Sequence, residues 1–447
     1  MLATLALSVA IARILGDSAF GEYVSVWALV MILTTIGHMG TDSIVVREIA
    51  KDTTRARDLV SNAITMRLCL SLLAYGGAVA VAALMKPGHS FVGYVSIAGL
   101  ILLVSWHSLL ATYFEATLRI GTHTLITTGC IYLTLLFTLL VLFLKPSLGC
   151  VLWAAVLANS LILIVAYMLL PRHVQPRLGR SFNTMKNVFS ASWPLGGNMF
   201  LILIGGRLAH LILLKTKGPL AAGDYGAAVR ISESLTIIPQ AFMLSVFPVM
   251  SFCRSNEPAR FEDIYRKSLK YMSEIALFLA LLLAFYSERV LKLLYGQDFV
   301  EAAAALGILA WLMFFVFIGN VNSSAAIAED RQKSFLGVGM LTVGPYVVLN
   351  FVLIQRYNLV GAALALLLQQ VVFYVTLLTI PSTRKYTIAS ATSAFKPIVA
   401  IGCAALFLYK VEIPLAPLAA FVIYLSLLCI TGSINKEDRD LLLKMLR

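Results

Sequence analysis

Charged residues are scarce in this sequence. Asp, Glu, Lys and Arg make up only 13% of the 447 residues, while 60% are hydrophobic. Average soluble domains are roughly a quarter charged, and a soluble chain of this length could not bury so much apolar surface. Helices satisfy their own backbone groups in lipid, and the chain lacks the alternating pattern of a barrel. The composition therefore predicts an all-α, polytopic membrane protein.

Cysteine pairs and catalytic motifs are also missing. The chain contains no CxxC pair, which argues against a disulfide framework and against a zinc or iron–sulfur site. No GxSxG, HExxH or Walker sequence occurs, and the six histidines are isolated. We therefore expect neither an enzyme active site nor a bound metal or cofactor. The six scattered cysteines are Cys69, Cys130, Cys150, Cys253, Cys403 and Cys429.

Apolar runs separated by short polar breaks fill the chain and predict about fourteen transmembrane helices. The first run, MLATLALSVAIARIL, is shorter than the ~20 residues that a span needs. No basic region precedes it, so it does not resemble a signal peptide, and we expect the natural start to lie upstream. The predicted spans are centred near 1–15, 23–44, 61–85, 91–117, 123–144, 149–170, 188–214, 225–252, 269–286, 302–327, 335–354, 359–380, 396–411 and 415–432.

The basic residues divide unevenly between the two sides of these spans. Of the 35 Lys and Arg residues, 24 follow even-numbered spans and 8 follow odd-numbered spans. Cytoplasmic loops carry such an excess of Lys and Arg, which predicts an even number of spans and a cytoplasmic C-terminus. The net charge of +13 is thus mostly a topology signal, and it does not indicate a nucleic-acid partner.

An internal repeat divides the chain into two halves. Arg119 after span 4 corresponds to Arg331 after span 10 at an offset of 212 residues. Gly21-Glu22-Tyr23 corresponds to Gly223-Asp224-Tyr225 at an offset of 202. Parallel repeats of this kind are a transporter architecture, with the substrate site between the halves. We predict a lobe of spans 1–6 at residues 1–170, a pseudo-symmetric lobe of spans 7–12 at 188–380, an extra helix pair at 396–432 and a cytoplasmic tail at 433–447.

Three stretches resemble a known family. The segment WPLGGNMFLILIGGRLAHLILLKTKGPLAAGDYGAAVRISESLTIIPQAFMLSVFPVMS, together with ARILGDSAFGEY and DSIVVREIAKD near the start, resembles Wzx-type polysaccharide flippases. These are relatives of the MATE antiporters and of the lipid II flippase. Many relatives carry an acid two residues after the span 7 arginine, where this chain has Ala209 and then His210. That difference puts ion coupling through span 7 in doubt.

The resemblance implies a V-shaped, MATE-like transporter in the bacterial inner membrane. It would move an undecaprenyl-pyrophosphate-linked oligosaccharide, such as an O-antigen unit, from the cytoplasmic to the periplasmic leaflet. The implied partners are the polyprenyl-pyrophosphate-linked glycan, the lipid bilayer, and a glycan polymerase with its chain-length machinery.

Arginines inside spans 7 and 8 are the first candidates for substrate contact. A charge at the centre of a membrane helix costs about 2.5–3.5 kcal/mol, so such residues usually face a cavity or a partner. A guanidinium suits bidentate contact with phosphate, so Arg207 and Arg230 could bind the pyrophosphate. The alternative for Arg230 is an internal pair with Glu233, three residues further on. The full set of cavity candidates is Arg207, Arg230, Glu233, His210, Asn198 and Asn320.

Glycine and proline interrupt spans 7 and 8 more than the others. Pro194, Gly196-Gly197 and Gly205-Gly206 fall in span 7, while Pro239 and Pro248 fall in span 8. Such residues break helices beside a cavity and provide hinges. The glycines could equally allow close helix packing.

Asp42 and Glu115 are the candidate acids for coupling to a H⁺ or Na⁺ gradient. Glu115 lies four residues before Arg119, a spacing that favours a salt bridge on one helix. Asp42 lies at the inner end of span 2, where a solvated helix end is the simpler interpretation.

Two other functions remain open at this point. A MATE-like, ion-coupled exporter of small molecules would need a carboxylate in the cavity, whereas the deep charges here favour arginine. A membrane glycosyltransferase or polymerase would need a sizeable outer loop, and no loop exceeds about twenty residues. We therefore predict a flippase that works by alternating access and is not an enzyme.

Overall fold

The computed structural model describes residues 2–85, 89–177, 179, 181–410 and 416–430. Within these ranges the chain forms α-helices and two 3₁₀ helices (Thr53–Arg55 and Gln297–Ala302), without a strand. The α-helices are α1 Leu2–Leu15, α2 Asp17–His38, α3 Thr41–Lys51, α4 Ala56–Met85, α5 His89–Val104, α6 His107–Ala116, α7 Ile120–Leu144, α8 Leu148–Leu169, α9 Phe182–Lys217, α10 Pro219–Leu235, α11 Ile237–Asn256, α12 Pro258–Leu294, α13 Ala303–Ala328, α14 Gln332–Thr379, α15 Arg384–Lys410 and α16 Ala416–Ile430.

The predicted spans correspond to these helices. Among the described residues, ten helical stretches are long and apolar enough to cross a membrane, and the two arms of α9 make an eleventh. Two shorter apolar helices, Leu2–Leu15 and Ala419–Ile430, match the first and last predicted spans. The 48-residue α14 covers predicted spans 11 and 12, and its backbone leaves helical geometry at Asn358 (φ 54°, ψ −133°). The prediction of an all-α, polytopic membrane protein is confirmed.

Several predicted spans consist of two helices in series. Span 2 is α2 followed by α3, with Met39 (φ 45°) and Gly40 (φ 67°) both left-handed at the junction. Thr41 caps this break by donating its hydroxyl to the carbonyl of His38 at 2.8 Å. Span 4 divides between α5 and α6, and span 8 divides between α10 and α11 at Thr236. Hydropathy alone does not reveal such breaks, because both arms are apolar.

The helices group into two compact units. The first contains the described residues up to Ala227 together with Asn350–Leu359, and the second contains Ala228–Leu349 and the described residues from Val360 onwards. Packing thus places α9 and the first half of α10 in the first unit. The lobe boundaries at 170/188 and 380 stay a prediction, and the predicted tail at 433–447 lies outside the described residues.

Each unit has its own apolar core. In the first unit, Ala63 of α4 packs with Leu110 of α6 and Ile162 of α8. In the second, Leu281 of α12 packs with α15 and α16, the predicted extra pair. The Tyr424 hydroxyl donates to the Glu274 carbonyl at 2.9 Å and so joins α16 to α12.

The backbone repeats at both predicted offsets. Leu118 (φ 59°) and Asp330 (φ 58°) are both left-handed, although neither is glycine. The next residue bonds back to its helix identically in each case: Arg119 N–H donates to the Phe114 carbonyl at 2.7 Å, and Arg331 N–H donates to the Ala326 carbonyl at 2.7 Å. At the other offset, Gly16 (φ 84°, ψ 173°) and Gly218 (φ 92°, ψ 178°) share one conformation before α2 and α10.

The two copies of the Gly-acid-Tyr motif lie against each other in the first unit. A Cβ on Gly21 would overlap the Pro219 carbonyl, and a Cβ on Gly223 would come within 2.6 Å of the Asp17 carbonyl oxygen. Real Cβ atoms do not approach backbone this closely, so only glycine permits the contact. The glycines therefore let α2 and α10 touch backbone to backbone.

Candidate functional site

Helix α9 is bent where the predicted cavity arginine lies. Its arms, Phe182–Leu201 and Leu203–Lys217, meet at 41°. Arg207 is five residues beyond Ile202, the residue between the arms, and its side chain is half-buried. The helix ends ten residues later at Lys217, about 15 Å away at 1.5 Å per residue. The predicted break in span 7 is confirmed, and Arg207 lies inside the span.

The glycines of α9 have two different roles. A Cβ on Gly196 would lie 2.6 Å from the Cα of Met39, so Gly196 permits close packing against the start of α3. A Cβ on Gly197, Gly205 or Gly206 would meet nothing within 4 Å. Packing therefore explains Gly196 alone. The pair before Arg207 lies in open space beside the bend, and its role as a hinge stays a prediction.

Arg230 forms the internal pair that its spacing predicted. Its Nη1 donates to Glu233 Oε2 at 3.3 Å within α10. Both side chains remain partly exposed. A guanidinium has five N–H donors, so this one contact leaves Arg230 able to meet a further acceptor. Roles for Arg230 and Glu233 in substrate binding stay predictions.

His210 is buried between α9 and α10. Only 2% of the residue is exposed, and its ring meets that of Tyr225 edge-on, with 5.0 Å between centroids. Both residues belong to the first unit. The imidazole thus joins α9 to α10. Its predicted contact with substrate would require these two helices to separate.

Substrate contact by the two predicted asparagines stays a prediction. Asn320 donates its side-chain amide to the Val316 carbonyl at 2.9 Å, within α13. The side chain of Asn198 lies outside the part of the chain that the structure describes. Asn322, two residues beyond Asn320, is fully buried and accepts from the Tyr265 hydroxyl at 2.8 Å. It also donates to Ser390 Oγ at 2.9 Å, and so ties α13 to α12 and α15.

Asp42 is partly exposed at a helix end, as we expected, but it is also bound by a buried arginine. Arg67 donates to it with both terminal nitrogens, Nη1 to Oδ1 at 3.0 Å and Nη2 to Oδ2 at 3.3 Å. The Ser108 hydroxyl also donates to Oδ2 at 3.3 Å. The Arg67 side chain is 2% exposed and that of Asp42 is 38% exposed. Arg67 is counted among the 24 basic residues that follow even-numbered spans, whereas it is buried in α4 and joins α4 to α3 and α6.

Glu115 does not pair with Arg119. Its partner is His123, whose Nδ1 lies 3.7 Å from Glu115 Oε2. Helix α6 ends at Ala116 and the chain turns at Leu118, so Glu115 and Arg119 do not share a helix and the spacing of four residues has no meaning there. The carboxylate is 46% exposed.

A carboxylate that the sequence reading missed lies between α13 and α14. Glu329 contacts Lys385 Nζ (2.6 Å to Oε1), the Tyr386 hydroxyl, and Arg254 Nε at 3.6 Å. Its side chain is only 3% exposed. Burial alone would raise the pKa of Glu329, but the hydrogen bonds from Lys385 and Tyr386 outweigh it and hold the pKa below its usual value. The only sequence signal was an acid beside Arg331.

Among the described residues, no group of three or more His, Cys, Asp and Glu side chains is placed to hold a metal ion. Two of the charge pairs inside the helices are those given above, Arg67 with Asp42 and Arg230 with Glu233.

Known proteins share parts of this sequence. Residues 10–304 match the family described as "Polysaccharide biosynthesis protein". A putative O-antigen transporter of Shigella flexneri is 28% identical over 142 residues, which are 32% of this chain and 34% of that protein. The capsular polysaccharide biosynthesis protein CapF of Staphylococcus aureus is 21% identical over 188 residues, 42% of this chain and 48% of CapF. The matches thus span a third to a half of these relatives' lengths.

Solved structures share the fold over nearly the whole chain. The lipid II flippase MurJ in an inward closed conformation superposes with a TM-score of 0.73, at 15% identity, over 98% of this chain and 97% of that one. An inward-facing multidrug resistance MATE family transporter gives 0.66, at 14% identity, over 92% and 96%. The fold is therefore that of the MATE and MurJ transporters, and with two thirds of its length matched by the family, this multi-pass membrane chain belongs to the polysaccharide biosynthesis proteins.

Proposed function

We propose that this chain is a flippase for lipid-linked oligosaccharides. It moves an undecaprenyl-pyrophosphate-linked glycan from the cytoplasmic to the periplasmic leaflet of a bacterial inner membrane, by alternating access. Its C-terminus is cytoplasmic, and its product passes to a glycan polymerase and chain-length machinery. Family membership and the transporter fold support transport in polysaccharide synthesis.

The observation that carries the proposal is the half-buried Arg207 beyond the bend of α9. A pyrophosphate headgroup is an anion, and a guanidinium held inside a span offers it planar, charge-assisted hydrogen bonds. The open space around Gly205 and Gly206 lets the arm that carries Arg207 change its angle. In the proposed mechanism the headgroup enters beside Arg207 while the polyprenyl tail stays in lipid.

A MATE-like exporter of small cations fits the interior less well. Such a substrate needs a carboxylate to receive it, yet Asp42 is bound by Arg67 and Glu233 by Arg230. Coupling to H⁺ or Na⁺ stays a proposal, and Asp42 suits it better than Glu115. Asp42 shares its site with a fully buried cation, so protonation there would alter helix packing, whereas Glu115 is 46% exposed and lies beside the partly exposed His123.

A complementation experiment tests the proposed function. A strain that lacks the gene should lose surface glycan and accumulate lipid-linked oligosaccharide in the inner membrane, and the wild-type gene should reverse both. We expect Arg207→Ala to lower export at least tenfold, since one charge-assisted hydrogen bond contributes about 1.5–3 kcal/mol. Arg207→Lys should retain part of it. Surface glycan is measured by immunoblot, and the lipid-linked pool by mass spectrometry.

A matched control removes an exposed arginine instead of a half-buried one. Arg289 is exposed in α12, where its guanidinium lies over the Tyr286 ring at 5.2 Å, and Arg289→Ala should export like wild type at equal expression. A deletion strain with normal surface glycan and no accumulation would refute the flippase function. Full export by Arg207→Ala would refute only the role of Arg207.

A further inference from the structure

A cavity of about 780 Å³ opens between α12 and α15 of the second unit. Neither Arg207 nor Arg230 lines it, and the proposed transport does not use it. Its wall carries Arg266 and Lys270 from α12, and Lys385 and Lys396 from α15. Hydroxyl groups of Thr392 and Ser393 also line it, beside the apolar side chain of Ile388.

The cavity wall has an excess of positive charge. Glu262 is the one acid among the described lining residues, and it accepts from Arg266 Nε at 2.7 Å. Lys385 is bound to Glu329, which Arg254 also contacts. Glu274 lies one turn beyond Lys270 in α12 and is buried. Counting these acids and Arg254, five cations face three carboxylates, so an anion in the cavity meets a net attraction.

Lys270 and Lys396 lie where the predicted spans of their helices begin. Each is twelve residues from the first residue of its helix, Pro258 or Arg384, about 18 Å along the axis at 1.5 Å per residue. Predicted span 9 begins near residue 269 and predicted span 13 near residue 396. These spans place the two ammonium groups near the boundary between the hydrocarbon core and the polar region, on the side with the excess of basic residues, which is the predicted cytoplasmic side.

We propose that this cavity binds the phosphate headgroup of an anionic lipid from the cytoplasmic leaflet. The two lysines supply point charges to the phosphate oxygens, Thr392 and Ser393 supply hydroxyl donors, and Ile388 meets the start of an acyl or prenyl chain. Basic pockets between transmembrane helices at this side hold such headgroups. The lipid is a resident ligand that joins α15 to α12, so this site does not depend on the proposed transport.

Lipid binding to the full-length protein tests the site. The purified protein, stripped of lipid in detergent, is titrated with phosphatidylglycerol, and native mass spectrometry gives the fraction that carries one lipid. We expect Lys270→Gln/Lys396→Gln to weaken this binding about thirtyfold, from ~1 kcal/mol per basic residue and tenfold per 1.4 kcal/mol. The single variant Lys396→Gln should weaken it about fivefold and covers the case in which the double variant does not fold.

A control variant loses the same amount of charge, from α12 alone. Arg260 and Lys267 pair with exposed acids at the start of α12, Glu257 and Asp263, and do not line the cavity, so Arg260→Gln/Lys267→Gln should bind phosphatidylglycerol within twofold of wild type. Phosphatidylcholine should bind weakly and without dependence on Lys270 or Lys396. Equal loss in the control, or unchanged binding in the lysine variants, would overturn the proposal.

Further titrations identify the source of the phosphate. Undecaprenyl diphosphate that binds more tightly than phosphatidylglycerol, through the same lysines, would assign the site to the carrier lipid; the reverse order would assign it to bulk phospholipid. Both results support a lipid phosphate site. Inorganic phosphate that displaces phosphatidylglycerol at equal concentration would show a site for soluble anions and contradict the proposal.

Discussion

The turns after α6 and α13 have the same backbone but different attachments. Thr117 and Glu329 occupy equivalent positions, 212 residues apart. The Thr117 hydroxyl donates back to its own helix, to the Tyr113 carbonyl at 2.8 Å, whereas Glu329 binds Lys385 and Tyr386 of α15. Arg331, in the same turn, donates to the Ser382 carbonyl at 2.5 Å. The second copy of the turn is thus the attachment point for the start of the extra helix pair.

The buried charged residue of the first unit lies away from its turn, unlike Glu329 in the second unit. This residue, Arg67, connects α4 to Asp42 of α3 and to Ser108 of α6. Beside the equivalent turn of the first unit, the acid Glu115 is 46% exposed and lies 3.7 Å from His123, with no buried cation as its partner in the described part of the chain. The two halves therefore share the backbone of the turn but use their charged residues to join different helices.

Loss of Arg67 should have the largest effect on stability. In Arg67→Met, Asp42 loses its cation partner, and breaking a buried pair costs 3–5 kcal/mol. Asp42 is partly solvated, so we expect about 3 kcal/mol, measured as thermal unfolding in detergent micelles. The double variant Asp42→Asn/Arg67→Met should recover most of the loss. A double variant as unstable as the single one would mean that Arg67 acts through packing alone.

The next largest effect is a difference in stability loss between equivalent substitutions in the two turns. Glu329→Gln removes the carboxylate from Lys385, Tyr386 and Arg254, and we expect a loss of about 2 kcal/mol. Thr117→Ala removes one hydroxyl bond within a helix and should cost about 0.5 kcal/mol. Both are measured by thermal unfolding of the purified protein. Equal effects would contradict the assignment of Glu329 as an attachment that the first half lacks.

Substitution by glycine should relieve the backbone strain of the left-handed residue in each turn, and the gain in stability should differ between the two turns. A non-glycine residue in this conformation is strained by roughly 1–2 kcal/mol, and Leu118 is exposed, so little packing is lost. We expect Leu118→Gly to stabilise the protein by about 1 kcal/mol. Asp330→Gly should give only about 0.3 kcal/mol, because Asp tolerates the conformation better. Destabilisation by Leu118→Gly would show that its side chain has a contact in the membrane.

The smallest effect is a pH dependence specific to the second turn. The folded pKa of Glu329 lies below its ordinary value of 4.5, so its pairing stabilises the fold at pH values above 4.5 and is lost as the pH falls through the folded pKa. The difference in melting temperature between wild type and Glu329→Gln should be constant from pH 7 to 5 and shrink below pH 4.5. A difference that grows on acidification would reverse the sign and contradict the ion pair.

The helices and the repeat could be predicted from the sequence because both depend on local patterns. Bilayer thickness sets the length of each apolar run, and the repeated turns retain Arg119 and Arg331 as markers. The bend of α9 was also foreseeable from Pro194 and the glycine pairs. The family resemblance gave the transporter fold that the solved structures share.

The charge partners could not be predicted, because they join residues far apart in sequence. Arg67 reaches Asp42 across 25 residues, and Lys385 reaches Glu329 across 56. Their pairing depends on how helices pack, which hydropathy does not encode. Even the short-range pair Glu115–Arg119 was wrong, since the helix that would align the two residues ends between them. The junction at Met39 and Gly40 was missed for the opposite reason, as its flanks are equally apolar.

The contact between Gly21 and Gly223 has a consequence for the history of the chain. These glycines are repeat mates that touch each other, so if the two halves descend from one duplicated gene, they were once a single position. In a self-paired ancestor that glycine would have met its own copy across a two-fold axis. A larger side chain arising there would have entered the contact twice, whereas after duplication each half could change separately. The present contact shows that two-fold relation inside one chain, since Gly21 meets Pro219 and Gly223 meets Asp17, the equivalent residue 202 positions earlier.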